Sequence, residues 1–246
     1  MKYIYINRDK DVKRREIFLE KNFHVENIER FSAVDKQNIN KNDLIGRGIL
    51  NEDCIYGNAA IANALSHIYL WSGVIESGKS ACIFEDDAII CKNFTSECKK
   101  VIDSLGEDWD IVLFGNNFDA SLYLCIVPGV LDGVVSFNSK KFAENADNFS
   151  DITIDAKAVK LLEAFGLCGY AISPRGAGKL MNSIIPIRDM TFNIDIVGGL
   201  YKNGSLDNFL CAAYKQMNAY CCVPPLCVSK NDKSISTMWN GEDFYH

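Results

Sequence analysis

Residues 82–90, CIFEDDAII, set Glu85, Asp86 and Asp87 between two apolar runs. An ionised carboxylate in an apolar interior costs several kcal/mol or takes up a proton, so three in a row need a cation, hydrogen bonds or an exit to water. Hard divalent ions such as Mn2+ or Mg2+ favour carboxylate oxygen and bridge to phosphate oxygen, which makes the triplet a candidate metal and diphosphate site. If the strand persists through it, alternation turns Glu85 and Asp87 to one side and Asp86 to the other. Glu85 and Asp87 are then the metal-side pair. The plain alternative is a charged turn after a strand.

Other residues bear on the same chemistry. Asn7, Arg8 and Asp9 close a first strand and Ala33, Val34 and Asp35 close a second, so both strand ends are candidates to line a ligand pocket. Arg14 and Arg15 lie on a charged helix, where arginines are commonly solvated, yet a guanidinium fork there matches phosphate oxygens. Asn63, His67 and Trp71 form a stripe at i, i+4 and i+8. The ten cysteines have no CxxC spacing and no His partner by spacing, so they read as reduced, core-filling thiols.

These residues need elements to hold them. Lys2–Asn7 alternates and reads as a strand, residues 9–22 as a charged helix and 29–34 as a short strand, with 37–57 as loop. Asn58–Ser77 is the clearest helix, with Gly78 where it should stop. Residues 81–84 form a buried strand that ends at the carboxylates, 93–105 a helix, and 110–114 another buried strand. The stretch 116–155 reads as mixed or partly antiparallel. A strand at 169–173 and a helix at 174–183, with Pro174 at its first turn, look like a further β–α unit. Residues 193–203 read as a turn and helix start, 208–219 are indeterminate, 220–228 form a strand broken by prolines, and 229–246 a polar mobile or docking tail. Repeated β–α units predict an α/β fold, doubly wound, with a mostly parallel sheet and a small mixed or antiparallel part. In such sheets ligands collect at the carboxyl ends of strands, where Glu85 to Asp87 sit.

The 246 residues and 48% apolar content suit one large domain, read in two halves of about 1–118 and 119–246. A formal charge of −6 argues against general nucleic-acid binding, so an acidic ligand must be met by a metal or a few placed cations. The N-terminus has no signal-peptide core and no run approaches a spanning helix, so a cytoplasmic protein is expected, with attachment to the inner face of the membrane left open.

Together the blocks IYINRDKDVKRREIF to ERFSAVD, ALSHIYLW with FEDDA, DWDIVLFG and GYAISPRGAGKLM resemble glycosyltransferase family 25, best known for lipooligosaccharide galactosyltransferases and related collagen galactosyltransferase domains. PPLCVSKNDKSIS is a weaker echo. The resemblance implies a GT-A-type fold with the acidic triplet as a DxD-like motif holding Mn2+ (or Mg2+) against the diphosphate of a UDP-hexose. It implies an inverting transfer of galactose onto a glycan or glycolipid acceptor such as lipooligosaccharide. Asp87 and Glu85 would then hold the metal, while Asp86 contacts ribose or sugar hydroxyls alongside Asn7, Arg8, Asp9, Arg14, Ala33, Val34 and Asp35 on the donor side. Ser66 and His67 match the family's Ser-His pair, Tyr170 and Ser173 line the acceptor side, and Asp195 is the candidate base or acceptor-positioning residue. The chain departs from the family at Ala62 and Asn63, where Gly and Cys are usual, and at Ile194, where Pro often precedes a later Asp. Two competing readings remain: a UDP-glucose donor or another acceptor, and a nucleotide- and metal-binding relative that transfers nothing.

Overall fold

A computed structural model describes residues 1–230; nearly all of the expected polar tail, 229–246, lies outside them. The chain runs β1 (Lys2–Asn7), α1 (Val12–Lys21), β2 (Ile28–Ser32), α2 (Lys41–Gly46), α3 (Asn58–Ser77), β3 (Ala81–Glu85), β4 (Ala88–Ile90), α4 (Phe94–Leu105) and β5 (Ile111–Gly115). It continues through β6 (Leu122–Val127), β7 (Leu131–Val135), α5 (Ser139–Asn145), β8 (Lys157–Glu163), β9 (Gly169–Ile172), α6 (Pro174–Ile184), β10 (Thr191–Ile194), β11 (Gly199–Lys202), α7 (Leu206–Ala213), β12 (Ala219–Val223) and β13 (Cys227–Ser229).

A nine-stranded sheet has the order β2-β1-β3-β9-β5-β12-β8-β6-β7. Strands β2, β1, β3, β5, β12 and β6 run one way and β9, β8 and β7 the other. The molecule is therefore α/β with a sheet dominated by one direction, and its antiparallel part includes the middle region read as mixed. Alternation buries both faces. Ile83, Leu113 and Tyr170 pack with Leu65 and Trp71 of α3 and Leu180 of α6, while Tyr5, Phe84, Phe114 and Ala171 pack with Phe18 of α1 and Phe94 of α4.

Several local expectations are corrected. The strand and helix at 169–184 do not repeat the parallel β–α unit, because β9 pairs antiparallel with β3 and with β5 between them. The loop 37–57 contains α2, nucleated by Asn40, whose side chain accepts the Asp43 N–H, and anchored by buried Leu44. Residues 193–203 hold the expected turn, a single 3-10 turn at Asp195–Val197 closed by Gly198 at φ 76, but no α-helix follows; the turn joins the antiparallel strands β10 and β11. The indeterminate 208–219 stretch carries most of α7, capped by Ser205. The late strand is split by its prolines into β12 and β13, and β13 pairs with β4 outside the main sheet.

That second pair crosses β5 closely. A Cβ on Gly115 would fall against the Cys227 carbonyl oxygen, well inside van der Waals contact, and near Cys168 Sγ. Gly115→Ala is expected to lose about 1–3 kcal/mol in urea denaturation, since the obstacle is backbone. An unchanged midpoint would show that β13 yields without cost.

Candidate functional site

The register sets the stage. Ile6 of β1 lies opposite Glu85 of β3, and Asn7 opposite Ser32 of β2, so the ends of three parallel strands share one level. Strand β3 stops at Glu85, and Asp86 and Asp87 form a turn into β4. The alternation expected across the triplet is thereby corrected: turn geometry, not the pleat, aims the three carboxylates.

Helix α1 serves the turn with one stripe at i, i+4 and i+8. Phe18 is buried and stacks on Tyr5 with ring centroids 4.4 Å apart, which fixes the helix to β1. One helical turn earlier, Arg14 donates from Nε to Asp86 Oδ1 at 2.9 Å and again through Nη2. The same Nη2 lies 3.8 Å from Asp87 Oδ2. One turn later, the Asn22 amide donates to the Ala88 carbonyl at 2.9 Å and accepts the Ile90 N–H at 2.8 Å, holding the chain that leaves the turn. Asn7 completes the grip on Asp86, donating from Nδ2 to Oδ2 at 2.7 Å.

Helix α3 approaches from the other side. Asn63 donates to Glu85 Oε1 at 3.4 Å, and His67 Nε2 lies 3.9 Å from the same oxygen. His67 Nδ1 is 2.8 Å from the Tyr170 hydroxyl oxygen, and that oxygen accepts from Trp71 Nε1 at 2.9 Å. The sequence stripe Asn63, His67, Trp71 thus becomes the wall behind Glu85.

The electrostatics separate the carboxylates. Burial opposes ionisation of Glu85, but the His67 ring, the Asn63 amide and Arg14 outweigh it and hold its carboxyl below the usual range. Asp87 goes the other way, pushed up to about 7 first by burial and then by the charge of Glu85, against relief from Arg14 and a hydrogen bond from Ser229. Among the described residues, four buried side-chain polar atoms have no hydrogen-bond partner, and three of them, Asn7 Oδ1, His67 Nε2 and Asp87 Oδ1, belong to residues in or against this turn. No group of three or more His, Cys, Asp or Glu among the described residues is arranged to hold a metal ion.

The other expected residues divide. Arg8 forks onto Asp11, with Nε to Oδ2 at 2.6 Å. Asp9 Oδ1 accepts from Arg30 and Ser32, each at 2.8 Å, and Asp35 pairs with Lys10 at 2.6 Å and caps the turn at Gln37. The Ala33 N–H reaches the Asn7 carbonyl, and the Val34 N–H donates to Ser66 Oγ at 2.9 Å. These form a collar at the ends of β1 and β2, in which Ser66 ties α3 to the 33–35 segment. Ser173 caps α6, accepting the Gly176 N–H at 3.0 Å. Asp195 is held in a different cluster: Oδ1 accepts from Asn193 at 3.2 Å and Oδ2 from Lys215 at 2.8 Å, and Lys215 also pairs with buried Glu163.

Sequence reasoning missed three contributors. Asn63 stood out as a departure and proves to be a donor to Glu85. Ser229 reaches Asp87 from β13, a pairing between distant segments that leaves no local signal. Asp207, in the first turn of α7, accepts the Gly166 N–H at 2.5 Å, and its carboxyl is pushed up to about 7 by burial and by the charges of Glu85 and Asp119. Its only sequence trace is the Ser205 cap.

No curated protein matches the chain. Among solved structures, A197 from STIV is similar over 94% of this chain and 83% of its own, at 12% identity and a TM-score of 0.39. Mannose-1-phosphate geranyltransferase from Thermus thermophilus is similar over 89% of this chain, at 8% identity and a TM-score of 0.37, and the match spans 57% of that enzyme's length. A family model described as glycosyltransferase family 25 (LPS biosynthesis protein) matches residues 1–197, from β1 through the collar, the acidic turn and Tyr170 to Asp195. With that match extending over most of its 246 residues, the chain belongs to glycosyltransferase family 25.

Proposed function

We propose that this family member is an inverting, metal-dependent hexosyltransferase of GT-A type that moves a hexose, galactose from UDP-galactose in the leading form, onto a glycan acceptor such as lipooligosaccharide. One observation carries the reading: buried Asp87 Oδ1 has no partner among the described residues, in a turn that sets three carboxylates against one guanidinium. Such a turn suits an added cation.

The residues fit Mn2+ or Mg2+ of the kind held by one or two carboxylates together with a ligand's phosphate oxygens, and Glu85 with Asp87 would supply the protein's share. When bound, the ion supplies Lewis-acid stabilisation of the charge that develops on a departing nucleoside diphosphate. Asp86 is taken up by Asn7 and Arg14, so its part is to orient Arg14 at the rim of the site. The collar of Asn7, Arg8, Asp9, Ala33, Val34 and Asp35 is the proposed nucleotide side, and Tyr170 backs the opposite wall from within the core, whereas Ser173, expected on the acceptor side, caps α6 beside Asp110 at the other end of β3 and β5. Asp195 has both carboxylate oxygens engaged by Asn193 and Lys215, which favours acceptor positioning over proton acceptance. A glycolipid acceptor would be met at a membrane surface; among the described residues no helix is long and apolar enough to cross one.

A panel of UDP-hexoses incubated with the purified protein tests this. UDP release is expected from one donor with Mn2+, falling by at least about 100-fold in EDTA. If no donor turns over while UDP with Mn2+ still raises the melting temperature, the protein binds without transferring. If UDP has no effect under either condition, the reading fails.

A further inference from the structure

The wall behind Glu85 has a hydrogen-bond account that favours one tautomer: it leaves its last hydrogen facing a carboxylate, where the other leaves it facing nothing. Tyr170, Trp71 and His67 are all fully buried, so each polar hydrogen there needs an acceptor within the protein. Trp71 Nε1 can only donate, and it donates to the Tyr170 oxygen. The Tyr170 hydroxyl has one hydrogen of its own to place, and the neighbouring acceptor is His67 Nδ1 at 2.8 Å. If Nδ1 carried a hydrogen, the phenol would receive two donors and its own O–H would have no acceptor. Nδ1 is therefore the acceptor and the ring hydrogen belongs on Nε2, which has no partner within hydrogen-bond distance and faces the Glu85 Oε1 carboxylate oxygen at 3.9 Å.

We propose that Tyr170, backed by Trp71, fixes His67 as the Nε2–H tautomer, so that His67 and Asn63 act as paired donors to Oε1 of Glu85 and leave Oε2 to face the ligand. Both donors come from α3, one helical turn apart, and Asn63 already reaches the oxygen at 3.4 Å. At 3.9 Å the His67 N–H is aimed rather than closed; it closes when the carboxylate takes up its partner, as site hydrogen bonds commonly tighten in complexes. His67 and Tyr170 are then positioning residues. A neighbour that orients a ligating carboxylate through hydrogen bonds is commonly worth about 10–100-fold in metal affinity. Asn63, at a position where the family usually has another residue, is half of this device, so the departure equips the site. The final step, ligand binding on Oε2, rests on the transferase reading; the tautomer does not.

The chain has only three histidines, so ring-nitrogen NMR of the 15N-histidine-labelled protein resolves His67 directly. At neutral pH, without metal, the wild type is expected to show a pyridine-like Nδ1 and a pyrrole-like Nε2. Tyr170→Phe is expected to mix the two tautomers in a protein that remains folded by its melting curve. An Nδ1–H tautomer or an imidazolium in the wild type overturns the proposal, as does an unchanged ring spectrum in Tyr170→Phe. A second arm titrates Mn2+ in the presence of UDP, read from the Mn2+ EPR signal. His67→Gln, whose amide nitrogen can stand near Nε2, should keep most of the affinity, whereas His67→Asn should lose about 10–100-fold. Equal losses in both overturn the positioning role. If the wild type binds no Mn2+ while the tautomer is as stated, the metal reading fails and the fixed tautomer stands.

Discussion

Asp87→Asn is expected to raise thermal stability at pH 8 while lowering turnover by about 100- to 1000-fold, the scale for removing one charge-stabilising group from a reacting centre. The stability gain follows from the sign of the Asp87 displacement. Its carboxyl is pushed up to about 7 in the folded protein, by burial first and the Glu85 charge second. Below about pH 4 the group is protonated whether the chain is folded or not, and it costs nothing. From there to pH 7 the unfolded chain ionises it and the folded chain resists, so the wild type loses stability as pH rises, and the full cost persists above 7. Its side chain keeps 30% of its exposure, so solvent screening limits the effect to about 1–2 kcal/mol. Melting curves of both proteins from pH 4 to 8, without metal, would show the gap opening with pH. A less stable Asn variant at pH 8 would mean that Asp87 is a structural residue.

The opposite sign is expected at Asp110. This carboxylate has no solvent exposure; Oδ1 accepts from Arg175 at 2.7 Å, and Oδ2 from Lys179 at 2.6 Å and the Asn218 N–H at 2.8 Å. It ties α6 to the start of β12 beneath the site. Asp110→Ala should cost about 2–4 kcal/mol at pH 7, because the Asn218 N–H loses its acceptor and two cations lose their counter-charge, although both cations are half-exposed and partly resolvate. Burial raises the carboxyl, but Lys179, the Asn218 N–H and Arg175 outweigh it and the folded value lies below the ordinary one. The stabilisation is therefore complete above about pH 4 and fades as pH falls through the lowered value. Urea unfolding at pH 7 and pH 3 should show the wild-type advantage narrowing in acid. An equal advantage at both would leave packing alone as its source.

These two carboxylates show what sequence could and could not reveal. Glu85 to Asp87 were legible because a polar triplet interrupting an apolar run is a local contradiction. Helix α3 was legible to the residue, since its apolar spacing and Gly78 are local signals, and so was the Asn63, His67, Trp71 stripe. Arg14 could be nominated but not separated from Arg15, because only the packing of Phe18 on Tyr5 decides which guanidinium faces the turn. The direction of β9 was invisible, for a short apolar strand reads the same either way and its partners lie far off in the chain. The hairpin at Thr191–Lys202 was misread because Gly and Asn mark turns of either type. Asp195 had no sequence sign of Lys215 or Glu163, which reach it from another helix end and another strand.

The antiparallel β9 also sets an order of assembly. Ile83, two residues before Glu85, pairs with Tyr170, and Leu113 pairs with that same residue from the other side. During synthesis, β3 and β5 therefore wait as bare, apolar edges until the chain has grown past Ile172, with no local substitute to close the gap. Long-range closure of this kind is slow and leaves strand edges open to other chains. Tyr170, which aligns the ring behind Glu85, arrives on the strand that closes the gap, so the acidic turn gains its support in the same event that joins β3 to β5, while the far edge of β5 still waits for β12.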